Sequence, residues 1–566
     1  MNRVWTVLAW VIATLVGIPI IVVAAALVAP ESASWSHLRD TVLVDYVVNT
    51  VALTVAVGVL AALIGIAAAW TVATREFPGR RLFSWALVLP LATPAYVVAY
   101  VYTDLLEFAG PVQSALRAAT GWVAGEYWFP PIRSLAGAAL VLSLVLYPYV
   151  YLLARTAFET QAASLFEAAR VLGARPRRAF AVVALPAARP VVAGGIALAM
   201  METVADYGVV DYFGVATFTT GIFRTWFALG DRAAALELAA WLFVLALVLV
   251  LAEHAARRGR FSNPVARDVV APRLVLHGAR AAMAVVGCSV PLLLGFVVPV
   301  GVLAAHAIAV GDPLFGGGFG GFVTNSVLVA SATAGVAILL AVCLAYSGRL
   351  SGGRSAGLAL RAATLGYALP GTVVAVGVLV PLALLDKSVA RYLAGHGVEV
   401  GLLLTGSVAA LVFAYVVRFL TVAYNACDGG MQKVHRNLDA AARTLGATPR
   451  RVLATVHFPL TRAAVASAVL LVFIDVMKEL PATLILRPFN FETLATRVYR
   501  LASDERLAEA STAALAIVLV GVIPVVLLNL TATRRRKDGG PAVRLAWHSA
   551  SGLKPGALPR HIDGDG

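Results

Sequence analysis

Twelve long apolar runs separated by polar loops constrain this sequence more than any other feature. Each run contains the roughly 20 apolar residues that a helix needs to cross a bilayer. The runs lie near 4–29, 46–74, 83–107, 135–156, 190–212 and 236–256 in the first half, and near 280–308, 322–346, 357–384, 400–424, 464–484 and 511–533 in the second. Only 13% of the 566 residues are charged, whereas soluble domains carry roughly 25%. The sequence therefore predicts an all-α polytopic membrane protein.

Basic residues are concentrated in alternate loops. Arginines follow each even-numbered run, and the last run is followed by Arg534, Arg535, Arg536 and Lys537. Cytoplasmic loops of membrane proteins are enriched in Lys and Arg, so we expect both termini on the cytoplasmic side of the lipid bilayer. These short clusters account for the net charge of +15 and argue against a nucleic-acid-binding surface. The polar tail, 536–566, is predicted to be disordered.

The chain contains an internal duplication. The triplet NTV opens the second run at 49–51, and NSV opens the eighth at 325–327. The stretch ARVLGA at 169–174 is matched by ARTLGA at 442–447, at nearly the same separation along the chain. Each half has six runs, an even number, so the two repeats are parallel and related by an axis along the membrane normal. The predicted domains are a first half at 1–256, a linker at 257–279 and a second half at 280–535.

A loop follows the fourth run of each half, at 161–190 and at 434–463. The candidate residues of the first loop are Glu167, Ala168, Ala169, Gly173 and Pro186. The alanines favour a helix that another surface can approach closely, and Gly173 permits a left-handed turn at its end. Pro186 is expected to stop a second short helix before the chain re-enters the membrane. Glu167 offers a charge to a partner.

The second loop repeats this pattern with one change. Its candidate residues are Asp439, Ala441, Ala442, Gly446 and Pro459. Alignment on the glycines places Ala440 opposite Glu167, so the acid, Asp439, lies one residue earlier. We therefore expect the same fold with altered polar contacts to the partner.

Glu167-Ala168-Ala169, followed by Gly173 and Pro186, resembles the EAA signature of ABC importer permeases. We call 161–190 the first EAA loop and 434–463 the second EAA loop. The resemblance covers nearly all of residues 1–535 and points to a fused, two-half member of the binding-protein-dependent transport system inner-membrane component family. It implies the type I ABC importer permease fold, with about twelve transmembrane helices in two parallel six-helix repeats, in a bacterial inner membrane.

The resemblance also implies partners. In this family each EAA loop folds as two short helices that fit a cleft on an ATP-binding subunit. Two cytoplasmic ATP-binding subunits and a periplasmic substrate-binding protein are therefore expected, and the chain itself is a transport subunit rather than an enzyme. The sequence has no G-x-x-x-x-G-K-[ST] phosphate loop. ATP is thus expected on the partner subunits and no cofactor on this chain.

Ionisable residues inside the runs are candidates for the translocation pathway, because their burial in a bilayer is costly. They are Glu202, Asp206, Asp475, Lys478 and Glu479. Glu202 and Glu479 occupy similar places in the fifth and eleventh runs and are predicted to face each other across the axis between the halves. Such a carboxylate pair suits a hard metal cation as a transient ligand set. Two alternatives are that Lys478 and Asp475 neutralise each other and that the glutamates lock the halves together.

Two stretches resemble the iron(III) branch of these permeases. They are ETVADYG at 202–208, with the residues up to 222, and VMKELPATL at 476–484, with the residues up to 497. The resemblance implies Fe³⁺ as the transported substrate, while related permeases for thiamine or polyamines share the architecture. Two further hypotheses are an ion-gradient-driven secondary transporter, which needs no duplicated ATPase-docking loop, and a membrane scaffold, which has no need of buried carboxylates.

Overall fold

A computed structural model of the chain describes residues 2–29, 32–160, 169, 172–257, 273–351 and 353–538. Within these ranges eleven helices are long and apolar enough to cross a membrane. A twelfth span results if the bent pair Arg80–Ala92 and Ala95–Thr120 is counted as one. The predicted all-α membrane architecture is confirmed. The predicted tail lies almost wholly outside the described residues.

The first half contains both long helices and short ones. They are α1 (Asn2–Ala25), α2 (Ala33–Thr41), α3 (Leu43–Thr74), α4 (Arg80–Ala86), α5 (Ala95–Leu106), α6 (Pro111–Thr120), α7 (Leu135–Thr160), α8 (Pro176–Ala179), α9 (Leu185–Ala205), α10 (Gly208–Tyr212), α11 (Phe218–Phe223) and α12 (Arg232–Arg257). Strand β1 (Arg75–Glu76) follows α3.

Strand β2 (Leu274–Val275) lies in the predicted linker and pairs with β1 in parallel. The second half follows. Its helices are α13 (Gly278–Leu292), α14 (Val298–Ala309), α15 (Phe319–Leu350), α16 (Arg354–Ala363), α17 (Gly371–Ala394), α18 (Val408–Gln432), α19 (Arg436–Thr444), α20 (Pro449–Val452), α21 (Phe458–Met477), α22 (Pro481–Leu486), α23 (Leu494–Ser503) and α24 (Leu507–Asp538).

The duplication is visible in matched hydrogen bonds. Asn49 donates from Nδ2 to the Ala216 carbonyl at 3.0 Å, and Asn325 donates to the Glu492 carbonyl at 2.9 Å. The two asparagines are separated along the chain by the same distance as the two carbonyls. Helices α3 and α15, which carry the asparagines, are each 32 residues long. The predicted repeat is therefore confirmed at the level of individual contacts.

The third run of each half is broken, which the run lengths did not predict. In the first half the chain bends by 90° between Arg80–Ala92 and Ala95–Thr120. The break falls at Thr93, which is extended before Pro94 because a proline disfavours helical geometry in the preceding residue. Its counterpart Leu369 is extended before Pro370. The predicted spans at 83–107 and 357–384 are thus not single straight helices.

Glycines allow three helices of the first half to approach closely. A Cβ atom on Gly65 of α3 would lie 2.9 Å from the Tyr147 carbonyl oxygen of α7. A Cβ atom on Gly195 of α9 would lie 2.9 Å from the Val150 Cα atom of α7. Transmembrane helices commonly associate through such small residues, because dispersion contacts replace the hydrophobic effect in lipid. This packing fixes α9, which leads to the predicted pathway residues.

The first span of each half lies against the other half. Trp10 of α1 donates from Nε1 to the Ser355 hydroxyl of α16 at 3.0 Å. In the reverse direction, Tyr102 of α5 donates its hydroxyl hydrogen to the Leu294 carbonyl between α13 and α14 at 2.6 Å. The two halves are therefore interlocked rather than placed side by side.

Candidate functional site

A cavity of about 110 Å³ lies between the halves, and we call it the central cavity. All five predicted pathway residues line it, namely Glu202, Asp206, Asp475, Lys478 and Glu479. Arg418 of α18 also lines it. Sequence reasoning missed this residue, although an arginine inside the apolar run 400–424 was a usable signal. The structure thus assembles the scattered candidates into one site.

Glu479 is tied down by several donors. Its side chain is buried, and Oε1 lies 2.7 Å from Nη1 of Arg418. Oε1 also accepts from the Ala482 backbone N–H at 3.1 Å, and Oε2 accepts from the Thr483 backbone N–H at 3.2 Å. Glu479 therefore caps α22, whose first N–H groups have no partner within the helix.

Asp206 plays the same part in the first half. Its Oδ1 accepts from the backbone N–H groups of Val209 at 3.0 Å and Val210 at 3.3 Å, which caps α10. Asp206 and Glu479 are separated by the same distance along the chain as the glycines of the two EAA loops. The predicted equivalence of Glu202 with Glu479 is therefore wrong, because it matched residue type rather than position. The counterpart of Glu202 is Asp475.

The charges of the central cavity do not cancel. Lys478 Nζ lies 3.0 Å from Asp475 Oδ1, so the predicted alternative of mutual neutralisation is seen for this pair. Glu202 also interacts electrostatically with Lys478. Glu202, Asp206, Asp475 and Glu479 face only Lys478 and Arg418 among the charged lining residues. With all six groups ionised, the lining carries an excess of negative charge.

The predicted metal-ligand pair of Glu202 and Glu479 is not favoured by this arrangement. Both oxygens of Glu479 are already engaged by Arg418 and by backbone N–H groups. Across the described ranges, no group of three or more His, Cys, Asp or Glu side chains is arranged to hold a metal ion. The cavity offers an electrostatic environment for a cation rather than a preformed coordination site.

A second polar cluster joins the halves at the ends of the spans remote from the EAA loops. Tyr499 of α23 donates to Asp211 Oδ2 at 2.7 Å, and the hydroxyl groups of Tyr499 and Tyr207 lie 3.1 Å apart. We call Tyr207, Asp211 and Tyr499 the tyrosine latch. Tyr207 also lines the central cavity. No sequence pattern pointed to this latch, because its partners come from distant segments.

Next to the latch, Arg133 contacts both halves. Its Nε lies 2.5 Å from Glu107 Oε1, and its Nη2 lies 3.6 Å from Glu505 Oε1. The guanidinium also lies over the Tyr212 ring, 4.9 Å from its centroid. The tyrosine latch and Arg133 together join the two halves on the side opposite the EAA loops.

The second EAA loop folds as two short helices, as the resemblance implied. Ala441 and Ala442 lie in α19, and Gly446 follows in the left-handed region with φ of 79°. The Ala447 N–H donates to the Ala442 carbonyl at 3.0 Å and closes the turn. Helix α20 then begins at Pro449, where a proline needs no N–H donor.

The first EAA loop is described from its turn onwards. Glu167 and Ala168 lie outside the described residues. Gly173 has φ of 87°, and the Ala174 N–H donates to the Ala169 carbonyl at 3.0 Å, which matches the bond in the second loop. The glycine turns predicted for both loops are therefore present.

Pro186 and Pro459 do not stop a helix, contrary to prediction. Each lies in the first turn of a long helix, α9 or α21. A π-helical turn precedes each, at Phe180–Ala184 and Leu453–His457. A proline inside a helix clashes with the carbonyl four residues earlier, and the wider π turn relieves this clash. The chain therefore passes from each EAA loop into the membrane through a continuous helix.

One leucine projects from the tip of each EAA loop. Leu172 is 87% exposed and Leu445 is 88% exposed. They occupy the same position in the two repeats, and each directly precedes the glycine of its turn. The sequence analysis did not single them out, although an apolar residue before a turn glycine in both copies was a signal.

Asp439 points inward rather than towards a partner. Its Oδ2 lies 2.7 Å from Arg349 Nε of α15, and its Oδ1 lies 2.8 Å from His457 Nε2. The expectation that this acid supplies an altered polar contact to a partner is therefore wrong for the structure described. The leucine tips, and not the aspartate, are presented to solvent.

One protein family and one relative match the chain over most of its length. The family described as binding-protein-dependent transport system inner membrane component matches residues 61–260 and 336–537. An Fe(3+)-transport system permease protein of Haemophilus influenzae is 25% identical over 487 residues, which is 85% of this chain and 88% of that protein. A probable sulfate transport system permease protein of Nephroselmis olivacea is 31% identical over 166 residues, 28% of this chain and 54% of that protein.

Two further similarities each cover less than half of this chain. A molybdenum transport system permease protein of Haemophilus influenzae is 29% identical over 140 residues, 25% of this chain and 58% of that protein. A solved bacterial alginate ABC transporter, in complex with a periplasmic protein, has a chain with 16% identity and a TM-score of 0.35, covering 45% of this chain and 94% of its own. With the family matched twice, once in each half, the chain belongs to the binding-protein-dependent transport system inner membrane components, and it is a multi-pass ABC importer permease with both halves in one polypeptide.

Proposed function

We propose that this permease carries ferric iron, delivered by a periplasmic binding protein, across the inner membrane. The observation that carries the proposal is the excess of carboxylates around the central cavity, where Glu202 and Asp206 join Asp475 and Glu479. Oxygen ligands and negative charge suit a hard, highly charged cation. The likeness to an Fe(3+)-transport permease over 85% of this chain supports the same substrate.

The relatives named for sulfate transport supply the competing substrate class. Sulfate is an anion, and an excess of carboxylates along its path would repel it. Arg418 and Lys478 are the two cations of the central cavity, and each lies within 3.0 Å of a carboxylate. These pairings favour a cation over an oxyanion as cargo.

The EAA loops are proposed to bind two cytoplasmic ATP-binding subunits, one per loop. Leu172 and Leu445 would each enter an apolar pocket on one subunit, since a leucine so fully exposed gains most from burial. With the EAA loops docked in this way, both termini would lie in the cytoplasm, as the arginine-rich loops predict.

Closure of the two ATP-binding subunits is proposed to open the tyrosine latch. The latch and Arg133 join the halves on the side opposite the EAA loops. Separation of the halves there would admit iron from the binding protein to the central cavity. ATP hydrolysis by the partner subunits would then restore the closed latch.

The proposal is tested with the permease co-expressed with its ATP-binding subunits and reconstituted in proteoliposomes. We expect ATP-dependent uptake of ⁵⁵Fe³⁺ presented on the binding protein and no uptake of ³⁵S-sulfate. Uptake of thiamine, a polyamine or sulfate in place of iron would overturn the iron assignment. Uptake driven by an ion gradient without ATP-binding subunits would overturn the coupling assignment as well and favour a secondary transporter.

A further inference from the structure

Three side chains from three elements meet beneath the second EAA loop. Arg349 lies at the end of α15, Asp439 lies on α19 and His457 lies on the π-helical turn before α21. Their side chains are 9%, 14% and 0% exposed. We call them the loop clamp. The Asp439 carboxylate lies 2.7 Å from Arg349 Nε and 2.8 Å from His457 Nε2.

Arg349 extends the loop clamp to a fourth element. Its Nη1 donates to the Met431 carbonyl at 2.6 Å, and its Nη2 donates to the Val434 carbonyl at 2.8 Å. These carbonyls lie at and just beyond the end of α18, where a helix leaves acceptors without partners. All three guanidinium nitrogens are therefore engaged, and Asp439 is held in one orientation.

His457 is suited to the neutral form in this position. Its Nε2 lies 2.8 Å from Asp439 Oδ1, a close contact without hydrogen-bond geometry. Its Nδ1 is buried and has no hydrogen-bond partner among the described residues. A second proton on Nδ1 would thus be a buried donor without an acceptor, which is costly. The Asp439 charge is balanced by Arg349, and His457 lies against its second oxygen.

The first half has no equivalent of the loop clamp. The positions that correspond to Arg349, Asp439 and His457 are Ala73, Phe166 and Ala184. Ala73 and Ala184 are buried, and Phe166 lies outside the described residues. Other charged residues lie there instead, on the segments that flank the first loop. Arg273 donates from Nε to the Ala73 carbonyl at 3.2 Å, and Arg155 Nε lies 3.1 Å from Glu159 Oε1. The Trp70 ring packs beside them, 5.2 Å from Phe158 and 4.5 Å from Phe180.

We propose that Asp439 is a positioning residue that ties the second EAA loop to α15, α18 and α21, so that the loop and these helices move as one body. The inference rests on the proposed coupling of the loop to an ATP-binding subunit. A buried ion pair gives little net stability but selects one geometry, because any other leaves a charge unpaired. Asp439 therefore transmits movement without touching the partner.

The first test uses Asp439→Asn, which keeps the shape and removes the charge. We expect normal amounts of permease in the membrane and wild-type co-purification of ATP-binding subunits. Iron transported per ATP hydrolysed should fall about tenfold, because the buried Arg349 loses its counter-ion and the loop loses its fixed orientation. Unchanged transport per ATP would overturn the inference, and so would loss of the ATP-binding subunits, which would make Asp439 a partner contact.

A second test replaces the ion pair by a covalent link. In Arg349→Cys/Asp439→Cys, a short bifunctional thiosulfonate reagent joins the two positions, and dithiothreitol releases them. The three native cysteines lie buried or half-buried, and Asp439→Cys alone is the control. Transport per ATP should return on cross-linking and fall again on reduction. A cross-linked permease that stays uncoupled would show that the loop must move relative to α15, which contradicts the inference.

The two proposals fail in different ways. If wild-type permease neither retains ATP-binding subunits nor requires ATP, the proposed coupling role is wrong. If wild-type permease is coupled but the Asp439 variants behave like it, only the positioning role is wrong.

Discussion

Where the second EAA loop joins the membrane helices, an arginine, an aspartate and a histidine occupy the positions that alanine, phenylalanine and alanine occupy in the first. From Gly173 and Gly446 onwards, where both loops are described, their backbone is nevertheless alike. Both have a glycine with positive φ, a following short helix and a π-helical turn before a proline. The comparison teaches that the same loop geometry is compatible with a buried charge on the loop itself, as in the second half, or with charges on the flanking segments, as in the first.

The largest expected effect comes from the feature that the two loops share. Gly173→Pro and Gly446→Pro each place a residue locked near φ of about −65° where φ is positive. Each should reduce ATP-dependent iron uptake to background, while immunoblots show normal amounts in the membrane. Gly→Ala at the same positions is the milder control. Normal uptake in either proline variant would show that the corresponding loop does not couple.

The next largest effect distinguishes the two acidic residues that cap helices at the central cavity, Glu479 and Asp206. Glu479→Gln removes the carboxylate from the buried ion pair with Arg418, which costs about 3–5 kcal/mol. Asp206→Asn alters a cap that accepts only from backbone N–H groups, which costs about 1 kcal/mol. Thermal unfolding in detergent should therefore show a larger fall in Tm for Glu479→Gln. Equal falls would mean that Arg418 does not depend on Glu479.

The leucine tips should behave alike although the loops are anchored differently. Leu172→Ser or Leu445→Ser removes an apolar group whose burial is worth roughly 1.5–3 kcal/mol. The affinity for ATP-binding subunits, measured by titration in detergent, should fall about 10- to 100-fold in each variant. Leu438, which is 45% exposed on α19, provides a matched control position for a leucine-to-serine change. A fall at only one tip would show that the two subunits dock unequally.

The smallest effect concerns the tyrosine latch. Tyr499→Phe removes the hydroxyl that bonds Asp211 and contacts Tyr207, at a cost of about 1 kcal/mol. The population open on the latch side should rise about fivefold, since about 1.4 kcal/mol corresponds to tenfold. A cysteine at Ala205, in the cavity lining, would report this as faster labelling by a membrane-impermeant thiol reagent. No change in labelling rate would mean that the latch does not hold the halves together.

The sequence predicted the parts of the fold that depend on local pattern. Apolar run length indicated the helices, and the repeated ARVLGA and ARTLGA stretches indicated the loops with their glycine turns. Run length could not show the break at Thr93 or at Leu369, because the segments on both sides are equally apolar. The role of Pro186 was misjudged because a π turn has no simple sequence signal.

The sequence predicted which ionisable residues line the candidate site, but not which charged residues pair with them. All five ionisable residues chosen from the sequence line the central cavity. Their partners depend on three-dimensional packing, however, and Arg418 is 61 residues from Glu479 in the chain. Asp439 was taken for a surface acid for the same reason, since Arg349 lies 90 residues before it. Charge partners of this kind become visible only once the helices are placed.

The interlocking of the halves has a consequence for biogenesis. Trp10 of α1 bonds to Ser355, a residue made 345 positions later. At a synthesis rate of about 5–20 residues per second, α1 waits roughly 20–70 seconds in the bilayer before its partner helix emerges from the ribosome. During that time the surface of α1 that will contact the second half faces lipid, although its contacts with α12 can already form. A single chain keeps α1 close to the site that it must eventually fill.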